Sequence, residues 1–405
     1  MVKRILHLMF FFAPAAFIAD RMGADPGLVF LLAALGLIPL ADLIGEATEH
    51  LAEHTGPRIG GLLNATLGNA AELIITIFAI NAGLLELVKA SITGSILGNL
   101  LLILGLSIFM GGLKNGIQTF DRRTVSLNAT LVLLAIIALA IPSLFDSAFV
   151  EAIGRDTNGD TAALVMADRN EGEEPSVTEE AETDAETEVV VPEASEAAVP
   201  LDSEGASSTA ELRFSESVAV VMIVLYALSI WYSLRSGGGP HNHGSPVEGA
   251  WSVRRSVILL LAATAGTAFM SEVLVGAVEH VTESLGLTEF FLGIIIIPLV
   301  GNVAEHLVAV ETAYKNKMEL SLAVSFGSSL QIALFVAPVL VFIALLFGER
   351  LLLVFTTFEL IALFGAGLVA AFIALDGESN WLEGAMLLAI YLIVGLAFFF
   401  LPAVA

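Results

Sequence analysis

The chain of 405 residues is 57% hydrophobic and only 15% charged, with a mean hydropathy of +0.87; soluble proteins carry about 25% charged residues, which argues against an ordinary cytosolic enzyme. The absence of cysteine excludes disulfide scaffolds, thiolate metal sites, iron–sulfur clusters and cysteine nucleophiles. The formal charge of −25 argues against nucleic acid, which needs basic patches. Much of it sits in residues 147–212, which hold 18 acidic and 2 basic side chains.

A transmembrane helix needs about 20 mostly apolar residues, and eleven stretches qualify. The first, 5–19, follows Lys3 and Arg4 within an N-terminal segment, 1–27. No clean small-x-small cleavage site follows before Asp20, so it reads as a retained helix rather than a signal peptide. The second, 28–50, carries Asp42, Glu46 and Glu49, continued by Glu53, at spacings of 4, 3 and 4. That spacing makes one helical stripe, either a water-filled vestibule that gathers cations and passes protons or an amphipathic helix end. The third, 59–82, contains Gly68-Asn69-Ala70-Ala71-Glu72; the fourth, 87–111, contains Gly94, Ser95, Gly98 and Asn99; the fifth is 124–146. The acidic stretch 147–212 has too little apolar content for a core and reads as unfolded. Its Asp156-Thr157-Asn158-Gly159-Asp160 is similar to the start of an EF-hand loop. Thr161 and Ala167 stand where Gly and Glu are needed, which favours a solvated linker. The sixth span, 214–234 within 213–235, closes the first half. A flexible linker, 236–250, holds His241 and His243.

The remaining spans, 256–280, 289–312, 319–347, 351–375 and 382–402, fall in a second half, 251–405, that repeats the first. Ala47, Glu49, His50, Glu53 and Gly56 match Ala277, Glu279, His280, Glu283 and Gly286. Gly68-Asn69-Ala70-Ala71-Glu72 matches Gly301-Asn302-Val303-Ala304-Glu305, and the Gly94–Asn99 segment lies opposite Phe326–Gln331. Spans two to six and seven to eleven then form two five-helix units. An odd number per unit forces opposite orientations, a signature of secondary transporters with a midplane site. The expected fold is all-α and polytopic: one extra N-terminal helix plus two inverted five-helix repeats.

Glu72 and Glu305 are the most informative residues. Each sits deep in an apolar span, where an acidic group costs roughly 2.5–3.5 kcal/mol unless something cancels it. Around them Asn69, Asn302, Asn99 and Gln331 offer amide oxygens, Ser95 and Ser328 hydroxyls, and Gly68 and Gly301 carbonyls in loosened helices. Oxygen-only sets suit calcium, and secondarily magnesium or manganese. Gly94 and Gly98 could equally serve helix packing. Glu272, Glu279 and Glu283 repeat the vestibule stripe more thinly.

These paired G-N-A-A-E and G-N-V-A-E-H segments, with G-S-I-L-G-N-L-L-L-I-L-G, G-S-S-L-Q-I-A-L-F-V-A-P and G-E-S-N-W-L-E-G at 377–384, resemble the calcium/cation antiporter superfamily, in particular its Ca2+/H+ exchanger branch. The resemblance implies that Glu72 and Glu305 bind calcium and exchange protons. It further implies that Gly68, Gly301, Ser95, Asn99, Ser328 and Gln331 are accessory ligands. The expected function is a Ca2+/H+ antiporter working by alternating access, with calcium as cargo, no prosthetic group, and calcium, protons and membrane lipid as partners. Exchange coupled to sodium, or of another divalent cation, is the alternative. A passive channel, or a membrane hydrolase built on His50 and His54, is more remote. Eleven Lys and Arg fall on the N-terminal side and six opposite, which places the N-terminus in the cytoplasm of a prokaryotic inner membrane.

Overall fold

The structure is a computed structural model, and it describes residues 2–170, 201–236 and 251–401. Helices α1 (Val2–Met9) and α2 (Phe12–Arg21) replace the single N-terminal helix expected at 5–19. The break follows from Pro14, which has no N–H for the Phe10 carbonyl. Asp25 Oδ1 accepts the Leu28 N–H at 3.1 Å and starts α3 (Pro26–Leu67), with proline at the first helical position. Two spans were expected over this stretch, but α3 is one continuous helix of 42 residues. The polar run between Glu49 and Arg58 interrupts the hydropathy without breaking the backbone. The real interruption is at Gly68-Asn69, after which α4 (Ala70–Asn81) begins.

Helix α5 (Leu85–Asn115) contains a π-helical turn at Gly98–Ile103. A short strand, β1 (Gln118–Thr119), leads to α6 (Arg122–Asn170). Asp121 caps α6 by accepting the Thr124 N–H at 2.7 Å, and its hydrogen bonds to Thr124 hold its carboxyl below the usual range. Among the described residues, helix α6 runs to Asn170 and α7 (Leu201–Ser236) runs from Leu201. The helices therefore enter the acidic stretch from both sides. The reason is visible in the sequence: 147–170 lacks proline and contains good helix formers such as Ala, Leu and Met. Asp156–Asp160 falls inside α6, and a helical backbone cannot form an EF-hand loop. His241 and His243 lie outside the described residues.

The second half comprises α8 (Val253–Leu285), α9 (Glu289–Gly301), α10 (Val303–Tyr314) and α11 (Met318–Leu346). Helices α9 and α10 meet at Asn302 with a 63° bend, and α11 carries a π-helical turn at Ile332–Val336. Residues 351–356 are neither helix nor strand, so α12 (Thr357–Asp376) begins later than the span expected at 351–375. A capping box of Thr356 and Glu359 fixes that start. Strand β2 (Glu378–Ser379) and α13 (Trp381–Phe400) complete the chain. Among the described residues, eight helices are long and apolar enough to cross a membrane, and the bent α9–α10 pair makes a ninth.

Two non-helical connections tie the halves together. Strands β1 and β2 pair antiparallel, with Gln118 opposite Ser379. Ahead of α12, the segment 351–356 donates Phe355 N–H to Ser143 Oγ at 2.8 Å and Leu353 N–H to Ser215 Oγ at 3.4 Å. Helices α5 and α11 lie at the centre, with 72% and 61% of their apolar windows buried, against 17% for α13. The outer helices turn Phe372, Leu392, Ile393 and Leu396 outward, as a lipid-facing surface requires.

Candidate functional site

The two acidic residues owe their positions to the same local event in each half. Asn69 (φ −96°, ψ 18°) and Asn302 (φ −105°, ψ 13°) leave helical geometry and break their helices. Glu72 and Glu305 each follow three residues later, in the first turn of a new helix. There the free N–H groups and helix dipole favour negative charge. The two breaks lie against each other: a Cβ on Gly301 would make an ordinary contact, 3.4 Å from Glu72 Cβ.

The polar side chains form one network across the halves. The Ser95 hydroxyl donates to Glu72 Oε1, and Asn302 Nδ2 donates to Ser95 Oγ at 3.2 Å. Asn69 Nδ2 donates to Gln331 Oε1 at 2.6 Å, and Asn99 Nδ2 to Ser328 Oγ at 2.8 Å. The Ser328 hydroxyl lies within hydrogen-bonding reach of Glu305, whose charge is felt at Glu72. Every direct bond but the first joins one half to the other. Four buried oxygens in this network have no donor: Glu72 Oε2, Glu305 Oε2, Asn69 Oδ1 and Asn302 Oδ1. Buried acceptors are rarely left so, and the four are one carboxylate and one amide oxygen from each half. Among the described residues no group of three His, Asp or Glu side chains is placed to hold a metal. Any cation here would rest on two carboxylates plus neutral oxygens.

All ten residues expected at the site thus lie at or beside it, Gly68 at the first helix break. The vestibule residues are more dispersed. Asp42 and Glu46 are half-buried, on a turn where Gly45 packs against Ala304, next to Glu305. Glu49 and Glu53 are exposed further along. Glu272, Glu279 and Glu283 are exposed too, and none hydrogen-bonds to the network. Glu279 instead lies within electrostatic reach of Glu289, as does Glu86.

Of the two glycines weighed as packing residues, only Gly94 is one. A Cβ at Gly94 would lie 2.1 Å from the Ile294 carbonyl oxygen, whereas one at Gly98 meets nothing within 4 Å. His50 and His54 grip Trp251 instead of a metal. The His50 ring stacks on Trp251 at 4.3 Å, and His54 Nε2–H donates to the Trp251 carbonyl at 2.6 Å. Sequence reasoning missed Glu359, 2% exposed, which accepts the Thr93 hydroxyl at 2.7 Å and fastens α12 to α5. The available signal was Thr356-x-x-Glu359, a capping box ahead of an apolar run.

Comparison with known proteins adds the following. The sodium/calcium exchanger protein family model matches residues 26–166 and 255–400. A protein named Ca2+/H+ antiporter from Aphanothece halophytica is 38% identical over 410 residues, spanning 97% of this chain and 95% of that one. The structure of native YfkE superposes with a TM-score of 0.73 at 36% identity, over 98% of this chain and 100% of that one. The crystal structure of the H+/Ca2+ exchanger CAX shares the fold at 16% identity, with a TM-score of 0.64 over 98% of this chain and 92% of that one.

Proposed function

The chain belongs to the sodium/calcium exchanger protein family, and from that premise we propose that it is a Ca2+/H+ antiporter whose exchange site is the Glu72–Glu305 pair. The Aphanothece halophytica relative, named a Ca2+/H+ antiporter, matches along nearly its whole length. The observation that carries the site assignment is the set of four donorless oxygens on Glu72, Glu305, Asn69 and Asn302. They are acceptors only, hard, and contributed equally by the two halves. Calcium takes about six to eight such oxygens. The Ser95 and Ser328 hydroxyls and the carbonyls at the Gly68 and Gly301 breaks complete the set.

Exchange follows from electrostatics. Two buried carboxylates this close cannot both stay ionised alone, because like charges and desolvation both favour the protonated form. Calcium stabilises both as anions, and without it protons occupy the same oxygens. The site therefore holds calcium or protons, not both. Asn99 and Gln331 beside the pair add no charge, so two carboxylates balance one divalent cation and leave no anionic place for several sodium ions. The helices are read as an N-terminal segment followed by two inverted repeats, which the doubled helix breaks and π turns support. The repeats rock about the site to give alternating access. Lysine and arginine placement puts the N-terminus in the cytoplasm.

Purified protein in liposomes tests this. Calcium uptake should follow an imposed pH gradient and ignore a sodium gradient at clamped pH. E72Q and E305Q should each abolish exchange while the protein inserts and folds. Sodium-driven uptake, or near wild-type exchange in either variant, would remove the coupling ion or that residue from the account.

A further inference from the structure

Helices α5 and α11 run antiparallel through the site. Their middles meet at Asn99 and Ser328. At the end of α5, Lys114 Nζ donates to the Tyr314 carbonyl at 3.2 Å, just before α11 begins. The first halves of these helices therefore lie on opposite sides of the carboxylate pair. Each first half carries serines in line with a site serine. Ser91 stands four residues before Ser95, while Ser321 and Ser325 stand seven and three residues before Ser328. At those spacings they share a helix face with the site serine.

The state of these hydroxyls sets them apart. A buried serine in a helix ordinarily donates to the carbonyl four residues back. Ser329 does so to Ser325 at 2.9 Å, Thr76 to Glu72 at 2.8 Å and Ser271 to Thr267 at 2.7 Å. Ser91, Ser321 and Ser325, none more than 1% exposed, have no partner at all. Among the described residues, five other buried hydroxyls also lack partners, on Thr48, Ser107, Ser256, Thr267 and Ser379. None of these lies three or four residues from a site residue.

We propose that Ser91 on one side, and Ser325 with Ser321 on the other, are water-binding steps linking the carboxylate pair to the two membrane faces. A hydroxyl both donates and accepts, so water on these serines can pass protons to and from Glu72 and Glu305. Ser91 serves the face where α5 begins, and Ser321 and Ser325 the face where α11 begins. This inference rests on the exchange reading above and adds the routes that protons take.

The chain has no cysteine, so one introduced thiol is the sole target of a thiol reagent. S91C, S321C, S325C and the control S329C are reconstituted, assayed for exchange, and treated with a charged, membrane-impermeant methanethiosulfonate from either face. The reagent attacks thiolate, which forms only where water reaches the sulfur. S91C should react at least about tenfold faster than S329C from one face, and S325C and S321C from the opposite face. Calcium should slow labelling of S91C and S325C. Transport-competent S91C and S325C proteins that label no faster than S329C would overturn the proposal, as would labelling of both from the same face. Absence of pH-driven uptake in the cysteine-free parent would instead sink the exchange reading, whatever the labelling pattern.

Discussion

Replacing Gly94 by alanine tests whether the site depends on the close crossing of α5 over α9. The added Cβ would stand 2.1 Å from the Ile294 oxygen and 2.7 Å from its Cα. An ordinary contact begins at 3.4 Å, so the backbones must part by roughly 1.3 Å. Gly293 offers no relief, because its own α face already meets Ala90 and the Leu87 carbonyl. The Asn302–Ser95 bond, now 3.2 Å, joins α5 to the break that directly follows α9 and would stretch beyond hydrogen-bonding range. Overpacking of this kind costs about 1–3 kcal/mol or more. G94A should therefore lower the thermal midpoint in detergent and strongly reduce pH-driven calcium uptake. G98A, with open space beside it, should keep the wild-type midpoint or exceed it. A G94A protein with wild-type midpoint and uptake would refute the idea that this crossing sets the site geometry.

Two further outcomes are expected. T93V leaves the buried Glu359 Oε1 without its donor and should destabilise the protein by about 1–3 kcal/mol, read as a lower thermal midpoint. Deleting residues 171–200, which lie outside both family-matched segments, should leave calcium-for-proton exchange intact; loss of exchange in a well-folded deletion would show that the acidic stretch gathers cations or regulates transport.

The sequence made the centre of this molecule readable and its edges much less so. Glu72 and Glu305 stood out because a charge in an apolar span is expensive, and repetition of the Gly-Asn pair before each marked a shared break. Helix ends were harder. The polar run in α3 and the acidic residues 147–170 within α6 both change polarity without stopping the helix, so hydropathy placed boundaries where helices continue. Conversely, 351–355 is apolar yet not helical, and the N–H groups of Leu353 and Phe355 go to Ser215 and Ser143 across the fold. Such long-range pairings, like β1 with β2 or Thr93 with Glu359, leave no periodic trace. Gly94 and Gly98 looked equivalent in sequence, and only the position of Ile294 tells them apart.

The central claim is that calcium and protons compete for the same oxygens, and calorimetric calcium titrations between about pH 5.5 and 8.5 test it most directly. Ligand carboxylates must shed protons to take a metal, so lowering the pH should weaken binding and raising it should strengthen it. Titrations in buffers of different ionisation enthalpy should also reveal protons released on binding, and E72Q or E305Q should remove both effects along with the binding. Calcium affinity that stays flat with pH, or binding without proton release, would contradict the account.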